Sequence, residues 1–159
     1  MGRTRETLFN WLRPHIGGAH CLDLFAGSGI LGFEALSQGA AAVTFVERAR
    51  AAAAAIANNA ELLGGEHMAV ITGDARRFLR DCPAFDIVFL DPPFAAPDLL
   101  STALQAISER SLARDFIYVE TNAPDRVEAE VAALDLAIDR RAQTGEAHAF
   151  LLSGSGVAR

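Results

Sequence analysis

Short runs of β-branched and aromatic residues alternate along this chain with longer stretches that are rich in alanine and leucine. This alternation is typical of repeated strand–helix–strand units, in which parallel strands form one sheet between helices. We therefore predict an α/β fold with a mixed sheet of about seven strands and helices on both faces. The length of 159 residues fits one domain, so we expect a single domain over residues 1–159.

The predicted elements follow from apolar spacing, caps and chain breakers. We expect a first helix that Thr4 caps and that ends at Leu12, before Pro14. The other predicted helices are 30–38, 49–63, 75–81, 97–107 and 126–133. The predicted strands are 21–25, 42–46, 68–72, 86–91 and 116–120, with an antiparallel pair at 134–141 and 147–153.

Composition and charge exclude several classes of protein. The fraction of apolar residues is 51% and their runs are short, which excludes a disordered chain and a membrane-spanning helix. The formal net charge of −6 is not typical of a nucleic-acid-binding protein. The N-terminal residues lack a secretory signal and the two cysteines are isolated in sequence, so we expect a cytoplasmic protein. The four histidines lack the spacing of metal ligands, so we expect no metal site.

Each of the first four predicted strands ends in or beside an acidic residue. These residues are Asp23, Glu47, Asp74 and Asp91. In open α/β sheets, ligands bind outside the carboxyl ends of the strands, where loops and helix N-termini converge. The four carboxylates therefore mark the edge of the sheet at which we expect the functional site.

The loop after the first strand contains Gly27, Gly29 and Gly32 in the spacing G-x-G-x-x-G of dinucleotide-binding proteins. Two simpler interpretations stay open, a tight strand-to-helix turn and a nicotinamide-dependent oxidoreductase that uses Glu47 for a ribose. Asp23 lies close to this loop and would repel a pyrophosphate, whereas it would attract a sulfonium or ammonium group. The pattern therefore favours S-adenosylmethionine, with Glu47 accepting hydrogen bonds from the ribose hydroxyls and Asp74 accepting one from the adenine amine.

The segment Asp91-Pro92-Pro93-Phe94 follows a strand whose apolar run predicts burial on both faces. Proline lacks a backbone donor and fixes φ, so the segment offers rigid carbonyl acceptors beside a carboxylate. Asp91 and the Pro92 carbonyl would hold an exocyclic amine, and Phe94 would stack on the base that carries it. The alternative is that the two prolines merely end the strand and that Phe94 belongs to the core.

The chain resembles the RsmD family of bacterial methyltransferases, which modify a guanine N2 in small-subunit ribosomal RNA. The resemblance lies in four segments, Arg5–Leu12, Cys21–Gly29, Ile87–Phe94 and Tyr118–Glu120. It implies a Rossmann-like class I fold that uses S-adenosylmethionine, acting as a monomer on RNA within an assembling small ribosomal subunit. The catalytic residues would be Asp91, Pro92, Pro93 and Phe94. The cofactor-binding residues would be Asp23, Phe25, Gly27, Ser28, Gly29, Glu47, Asp74 and Ala75.

Several alternatives stay open beside this resemblance. The Asp-Pro-Pro-Phe motif is shared with adenine-N6 methyltransferases, and a protein glutamine is another amine acceptor. Family members usually begin with a basic arm before the first helix, and this chain starts after it. We therefore expect weak, salt-sensitive binding to free RNA, through arginines near the N-terminus and after Asp74. A non-catalytic binding module is the remaining alternative.

Overall fold

The computed structural model describes residues 3–154, so both ends of the predicted 1–159 domain lie outside the described part. Helices and strands alternate through most of the chain. The helices are α1 (Arg3–Ile16), α2 (Ile30–Ser37), α3 (Arg50–Leu62), α4 (Ala75–Phe78), α5 (Pro97–Arg110) and α6 (Pro124–Ala133). The strands are β1 (His20–Asp23), β2 (Ala42–Glu47), β3 (Met68–Thr72), β4 (Phe85–Leu90), β5 (Ala113–Thr121), β6 (Leu136–Thr144) and β7 (Ala147–Gly154).

The strands form one seven-stranded sheet in the order β3-β2-β1-β4-β5-β7-β6. The strands β1 to β5 are parallel, whereas β7 runs antiparallel to both β5 and β6. The strand order reverses between β1 and β4, which is where ligands bind in open α/β sheets. The predicted mixed sheet and its antiparallel C-terminal pair are confirmed.

Helices cover both faces of the sheet, as the alternating pattern predicts. The helices α1, α2 and α3 pack on one face together with Ile87 and Phe89 of β4. The helices α4, α5 and α6 pack on the other face, on which Val88 and Leu90 lie. All four of these β4 side chains are 0% exposed, so the prediction of a strand buried on both faces is confirmed.

Helix α1 is longer than predicted, and its N-terminal cap was wrongly assigned. Thr4 lies inside the helix, which continues through Pro14 and ends at Ile16. Burial explains the extension, because Ile16 lies one turn after Leu12 and both side chains are in the core. Among the described residues no helix has the length and apolar character needed to cross a membrane.

The other boundary errors are smaller. Strand β1 ends at Asp23 rather than at Phe25, and α4 ends at Phe78 rather than at Asp81. Helix α5 extends to Arg110, whose guanidinium donates to the backbone carbonyls of Leu79 and Cys82. This bond ties the end of α5 to the segment after α4. Such a contact joins distant parts of the chain, and local spacing does not reveal it.

Replacing Gly32 with alanine tests how closely α2 packs on β2. A Cβ atom there would lie 2.3 Å from Cε1 of Phe45 and 2.9 Å from Cγ1 of Val43, both in the core. Helix propensity alone would favour alanine by about 1 kcal/mol. We expect instead a loss of about 1–3 kcal/mol in the free energy of unfolding, measured by urea denaturation. Gly17→Ala is the control, because a Cβ there meets nothing within 4 Å. A Gly32→Ala variant as stable as the wild type would contradict this packing.

Candidate functional site

A cleft of about 580 Å³ opens at the carboxyl edge of the parallel strands. This size suits a small-molecule cofactor, whose pockets span roughly 300–1,000 Å³. Eight of the residues predicted for the site line the cleft: Phe25, Gly27, Glu47, Asp74, Ala75, Asp91, Pro92 and Pro93. Other lining residues, such as Arg48 and Leu99, were not predicted.

The turn between β1 and α2 has the tight geometry that its glycines predict. The amide of Gly29 donates to the Ala26 carbonyl at 2.8 Å, and both Gly27 and Gly29 have positive φ values, 59° and 83°. Glycine adopts such values without the steric penalty of a Cβ atom. The turn therefore brings the backbone of Gly27 to the wall of the cleft.

The carboxylate of Asp23 lies beneath this turn and caps α2. Its side chain is buried, and Oδ2 accepts a hydrogen bond of 3.0 Å from the Gly32 amide in the first turn of the helix. Burial raises the pKa of Asp23 to about 7; the Gly32 hydrogen bond opposes this rise, and the nearby Glu47 carboxylate adds to it. One of the amides that a pyrophosphate would use at this helix N-terminus is therefore already paired with an anion.

Glu47 ends β2 and is held rigidly by two backbone amides. Oε1 accepts from Gly27 at 2.8 Å, and Oε2 accepts from Ala49 at 2.7 Å. A carboxylate oxygen can accept two hydrogen bonds, and each oxygen of Glu47 accepts one here, so each keeps a lone pair for a ligand. The side chain is thus fixed in the cleft with acceptor capacity to spare.

Asp74 is the N-cap of α4, and its carboxylate is already engaged. Oδ1 accepts from the amides of Arg76 and Arg77, and the Arg76 guanidinium donates to Oδ2 at 2.9 Å. The Arg76 hydrogen bond holds the pKa of Asp74 well below its usual range. In the structure, Arg76 therefore forms an ion pair at the cleft, and this pair leaves Asp74 ionised at neutral pH.

The segment Asp91–Phe94 leaves β4 at the centre of the sheet edge. Burial raises the pKa of Asp91 to about 7, with further contributions from the carboxylates of Glu120 and Asp23. Pro92 is buried, and the Pro93 carbonyl accepts from the Ala96 amide at 3.0 Å, which closes the turn into α5. Phe94 is 43% exposed, so it does not belong to the core as the alternative interpretation supposed.

A second, much smaller pocket of about 10 Å³ adjoins the cleft. Pro92 and Pro93 line both, whereas Phe94 and Glu120 line the second pocket. Of the predicted cofactor residues, Asp23, Ser28 and Gly29 belong to the β1–α2 connection beside the cleft and are not among its lining residues.

Glu120 was missed as a candidate site residue. It lies near the end of β5, beside Asp91, and its Oε1 accepts a hydrogen bond of 3.1 Å from the buried Tyr118 hydroxyl. The rule that selected the first four carboxylates, an acid at the end of a parallel strand, applies equally to this fifth strand. Extending it to β5 would have found Glu120.

Comparison with known proteins places the chain among methyltransferases. The family model described as conserved hypothetical protein 95 matches residues 1–152. Ribosomal RNA small subunit methyltransferase D of Haemophilus influenzae is 44% identical over 126 residues, which cover 75% of this chain and 65% of that protein. The protein of the same name from Escherichia coli is 43% identical, covering 75% of this chain and 61% of its own length. This chain thus spans less than two thirds of the length of either relative.

Solved structures have the same fold. The structure of yhhF, a proposed methyltransferase of Escherichia coli, has a TM-score of 0.86 and 35% identity, covering 97% of this chain and 86% of its own. The structure of a proposed methylase from Haemophilus influenzae has a TM-score of 0.78 and 36% identity, covering 94% of this chain and 95% of its own. The predicted Rossmann-like, class I methyltransferase fold is confirmed.

The buried Asp23 carboxylate predicts how stability depends on pH. A carboxyl pKa of about 7, above the reference of 3.8, means that the folded chain keeps a proton which the unfolded chain releases. The free energy of unfolding should therefore fall from about pH 4 to about pH 7 and then level off. Asp23→Asn, whose amide oxygen still accepts from Gly32, should make this fall smaller, leaving the part due to Asp91, whose pKa is also raised to about 7. The variant should be more stable at pH 8 by a few kcal/mol, since one pKa unit corresponds to about 1.4 kcal/mol.

Urea denaturation across this pH range measures the effect. Asp115→Asn, at an exposed position, is the matched control and should keep the wild-type slope. A slope unchanged in Asp23→Asn would contradict the burial of a carboxylate with a raised pKa.

Proposed function

This chain belongs to the RsmD family, which the conserved hypothetical protein 95 model describes, and from that premise we propose that it methylates ribosomal RNA with S-adenosylmethionine. The proposed acceptor is the N2 amine of a guanine in small-subunit RNA, within an assembling ribosomal subunit. We further propose that the chain acts as a monomer in the bacterial cytoplasm. The single observation that carries the methyl-transfer assignment is the acidic cleft beside Asp91-Pro92-Pro93-Phe94.

The residues around the cleft fit the chemistry of S-adenosylmethionine. Its sulfonium and ammonium groups are cationic, and a cation next to the glycine turn would favour the ionised form of the buried Asp23, whose pKa is raised to about 7. Glu47 keeps a free lone pair on each oxygen, which suits the two hydroxyls of a ribose. Asp74 is ionised in the cleft, where it can accept from the adenine amine. When bound, this cofactor supplies a methyl group on its sulfonium.

The same contacts disfavour a nicotinamide dinucleotide. A pyrophosphate binds at a helix N-terminus through free amides. Here the Gly32 amide is paired with Asp23, and the Gly27 amide is paired with Glu47. A dinucleotide would place its phosphates against these two carboxylates, which favours the methyltransferase over the oxidoreductase.

Asp91 and the two prolines would orient the acceptor amine. The lone pair of an exocyclic amine is delocalised into the base, so the amine attacks poorly unless acceptors hold it and stabilise its developing charge. With a pKa raised to about 7, the Asp91 carboxyl is suited to take the proton that the amine loses near neutral pH. The exposed ring of Phe94 offers a stacking surface worth roughly 1–3 kcal/mol for the base.

The assignment of ribosomal RNA as the methyl acceptor is supported by the names of the relatives. Both curated relatives described above are named as methyltransferases of small-subunit ribosomal RNA. The choice of guanine N2 over adenine N6 rests on the resemblance of the Arg5–Leu12 segment.

Glu47→Gln tests the cofactor assignment. The amide of glutamine puts a donor against one of the two backbone N–H groups that Glu47 now accepts. We expect about 10- to 100-fold weaker binding of S-adenosylhomocysteine by calorimetry, since hydrogen bonds to charged groups contribute about 1.5–3 kcal/mol each. Glu61→Gln on the exposed surface of α3 is the matched control and should bind as the wild type does. Unchanged affinity in Glu47→Gln would refute the assignment.

Asp91→Asn separates catalysis from cofactor binding. The substitution keeps the size of the side chain but removes the charge that accepts the amine and takes its proton. We expect methyl transfer to fall by about 100-fold or more, because general-base catalysis alone contributes about 10²–10⁴-fold. Binding of S-adenosylhomocysteine should change by less than about threefold. A variant that retains turnover would disprove the catalytic role of Asp91.

Nucleoside mass spectrometry of the labelled product identifies the acceptor. The full chain is incubated with methyl-labelled S-adenosylmethionine and small ribosomal subunits from cells that lack this protein. We expect N2-methylguanosine. Label in N6-methyladenosine or in ribosomal protein would refute the guanine assignment. Cofactor binding without any transfer to RNA or protein would instead favour the binding-module alternative.

A further inference from the structure

The carboxyl group of Glu120 lies beside that of Asp91, at the edge of the sheet. In the parallel pairing of β4 and β5, Leu90 lies opposite Val119, so the next residues, Asp91 and Glu120, are neighbours across the sheet. The two carboxyl groups are within hydrogen-bonding reach of each other. Asp91 is among the residues that line the cleft, and Glu120 is among those that line the second pocket.

Tyr118 holds Glu120 in place. Its hydroxyl donates to Oε1 of Glu120 at 3.1 Å, and its side chain is only 1% exposed. Burial and the neighbouring Glu120 carboxylate raise the pKa of Tyr118, so the phenol keeps its proton and remains a donor. This bond and the contact with Asp91 use two of the four lone pairs of the Glu120 carboxylate and leave it further acceptor capacity.

When both are ionised, the two carboxyl groups form a pair of neighbouring acceptors. Guanine presents N1–H and N2–H₂ side by side on its Watson–Crick edge, so it offers two adjacent donors. Adenine presents an N6–H₂ donor beside the N1 acceptor, and cytosine presents an N4–H₂ donor beside the N3 acceptor. Two ionised carboxylates therefore match guanine alone among the bases with an exocyclic amine.

A proton shared between the two carboxyl groups would change this pattern to one acceptor and one donor, which matches adenine. Burial and the Glu120 carboxylate raise the pKa of Asp91 to about 7 and favour such a proton, and the Arg5 guanidinium, on the first turn of α1, only partly opposes them. Two N–H donors of a bound guanine would oppose it further, because hydrogen bonds to the charged form favour ionisation.

We propose that Glu120 determines base specificity by accepting the N1–H of the target guanine while Asp91 accepts the N2 amine. This inference rests on the proposed methyltransferase function and assigns to Glu120 a role that the sequence motifs did not. It also accounts for the Tyr118 hydrogen bond, which fixes a carboxylate that the transfer step itself does not require.

RNA containing 2-aminopurine isolates the N1–H contact. This base keeps the N2 amine of guanine but has an acceptor at N1. The test uses small-subunit RNA into which a synthetic segment is ligated, with guanine or 2-aminopurine at the position that the wild-type chain methylates. We expect the wild type to prefer guanine by about 10- to 100-fold in kcat/KM, the range for a hydrogen bond to a charged group.

Glu120→Gln should reduce this preference to within about threefold, because the glutamine amide can donate to N1 of 2-aminopurine as well as accept from N1–H of guanine. Binding of S-adenosylhomocysteine should stay within about threefold of the wild type, since Glu120 does not line the cleft. Glu109→Gln, on the exposed surface of α5, is the control and should keep the wild-type preference.

If Glu120 has a purely structural role, Glu120→Gln should lower kcat/KM for guanine and for 2-aminopurine by the same factor. An unchanged ratio of the two values would overturn the proposal. If Glu120→Gln does not fold, the same preference is measured with Tyr118→Phe. Loss of the phenol hydroxyl frees the Glu120 carboxylate, and the guanine preference should fall at least threefold, whereas an unchanged ratio again overturns the proposal.

The two proposals fail in distinguishable ways. A wild-type chain that transfers no methyl group to guanine refutes the proposed function, and the role of Glu120 falls with it. A wild-type chain that methylates guanine, with a preference that Glu120→Gln leaves intact, refutes only the role of Glu120.

Discussion

The hydrogen bond between the buried Asp23 carboxylate and the Gly32 amide organises the functional edge of this fold. It pairs an amide in the first turn of α2 and places a carboxyl group where related folds receive a phosphate. A carboxylate at this depth is costly unless it is hydrogen-bonded or meets a cation. A positively charged ligand beside the glycine turn would therefore stabilise the ionised form of Asp23.

The Asp91-Pro92-Pro93 segment divides the edge of the sheet into two sites with different chemistry. On one side, Glu47 is fixed by two backbone amides in a cleft that is large enough for a cofactor. On the other side, Phe94 and Glu120 line a much smaller pocket of about 10 Å³, and the ring of Phe94 is exposed beside it. The rigid prolines place Asp91 between them, which is where a group transfer between two ligands requires an acceptor.

Much of this organisation could be predicted from local sequence. The bounds of β3, Met68–Thr72, were predicted to the residue, because a β-branched run between turns fixes a strand. The acidic residues at the ends of parallel strands predicted the position of the site, and Glu47, Asp74 and Asp91 line one cleft. Their roles stay predictions. The end of α1 was wrong because burial of Ile16 against the sheet outweighs the local effect of Pro14. Glu120 could have been found by looking for an acid at the end of β5 as well, but its contact with Asp91 follows only from the pairing of β4 with β5.

Calorimetric titration of the full chain with S-adenosylhomocysteine and, separately, with NAD⁺ tests the central claim most directly. If the carboxylates of the cleft select a nucleoside without phosphates, S-adenosylhomocysteine should bind at one site. NAD⁺ should then bind at least about 100-fold more weakly, a difference of roughly 3 kcal/mol. Equal or tighter binding of NAD⁺ would contradict the account.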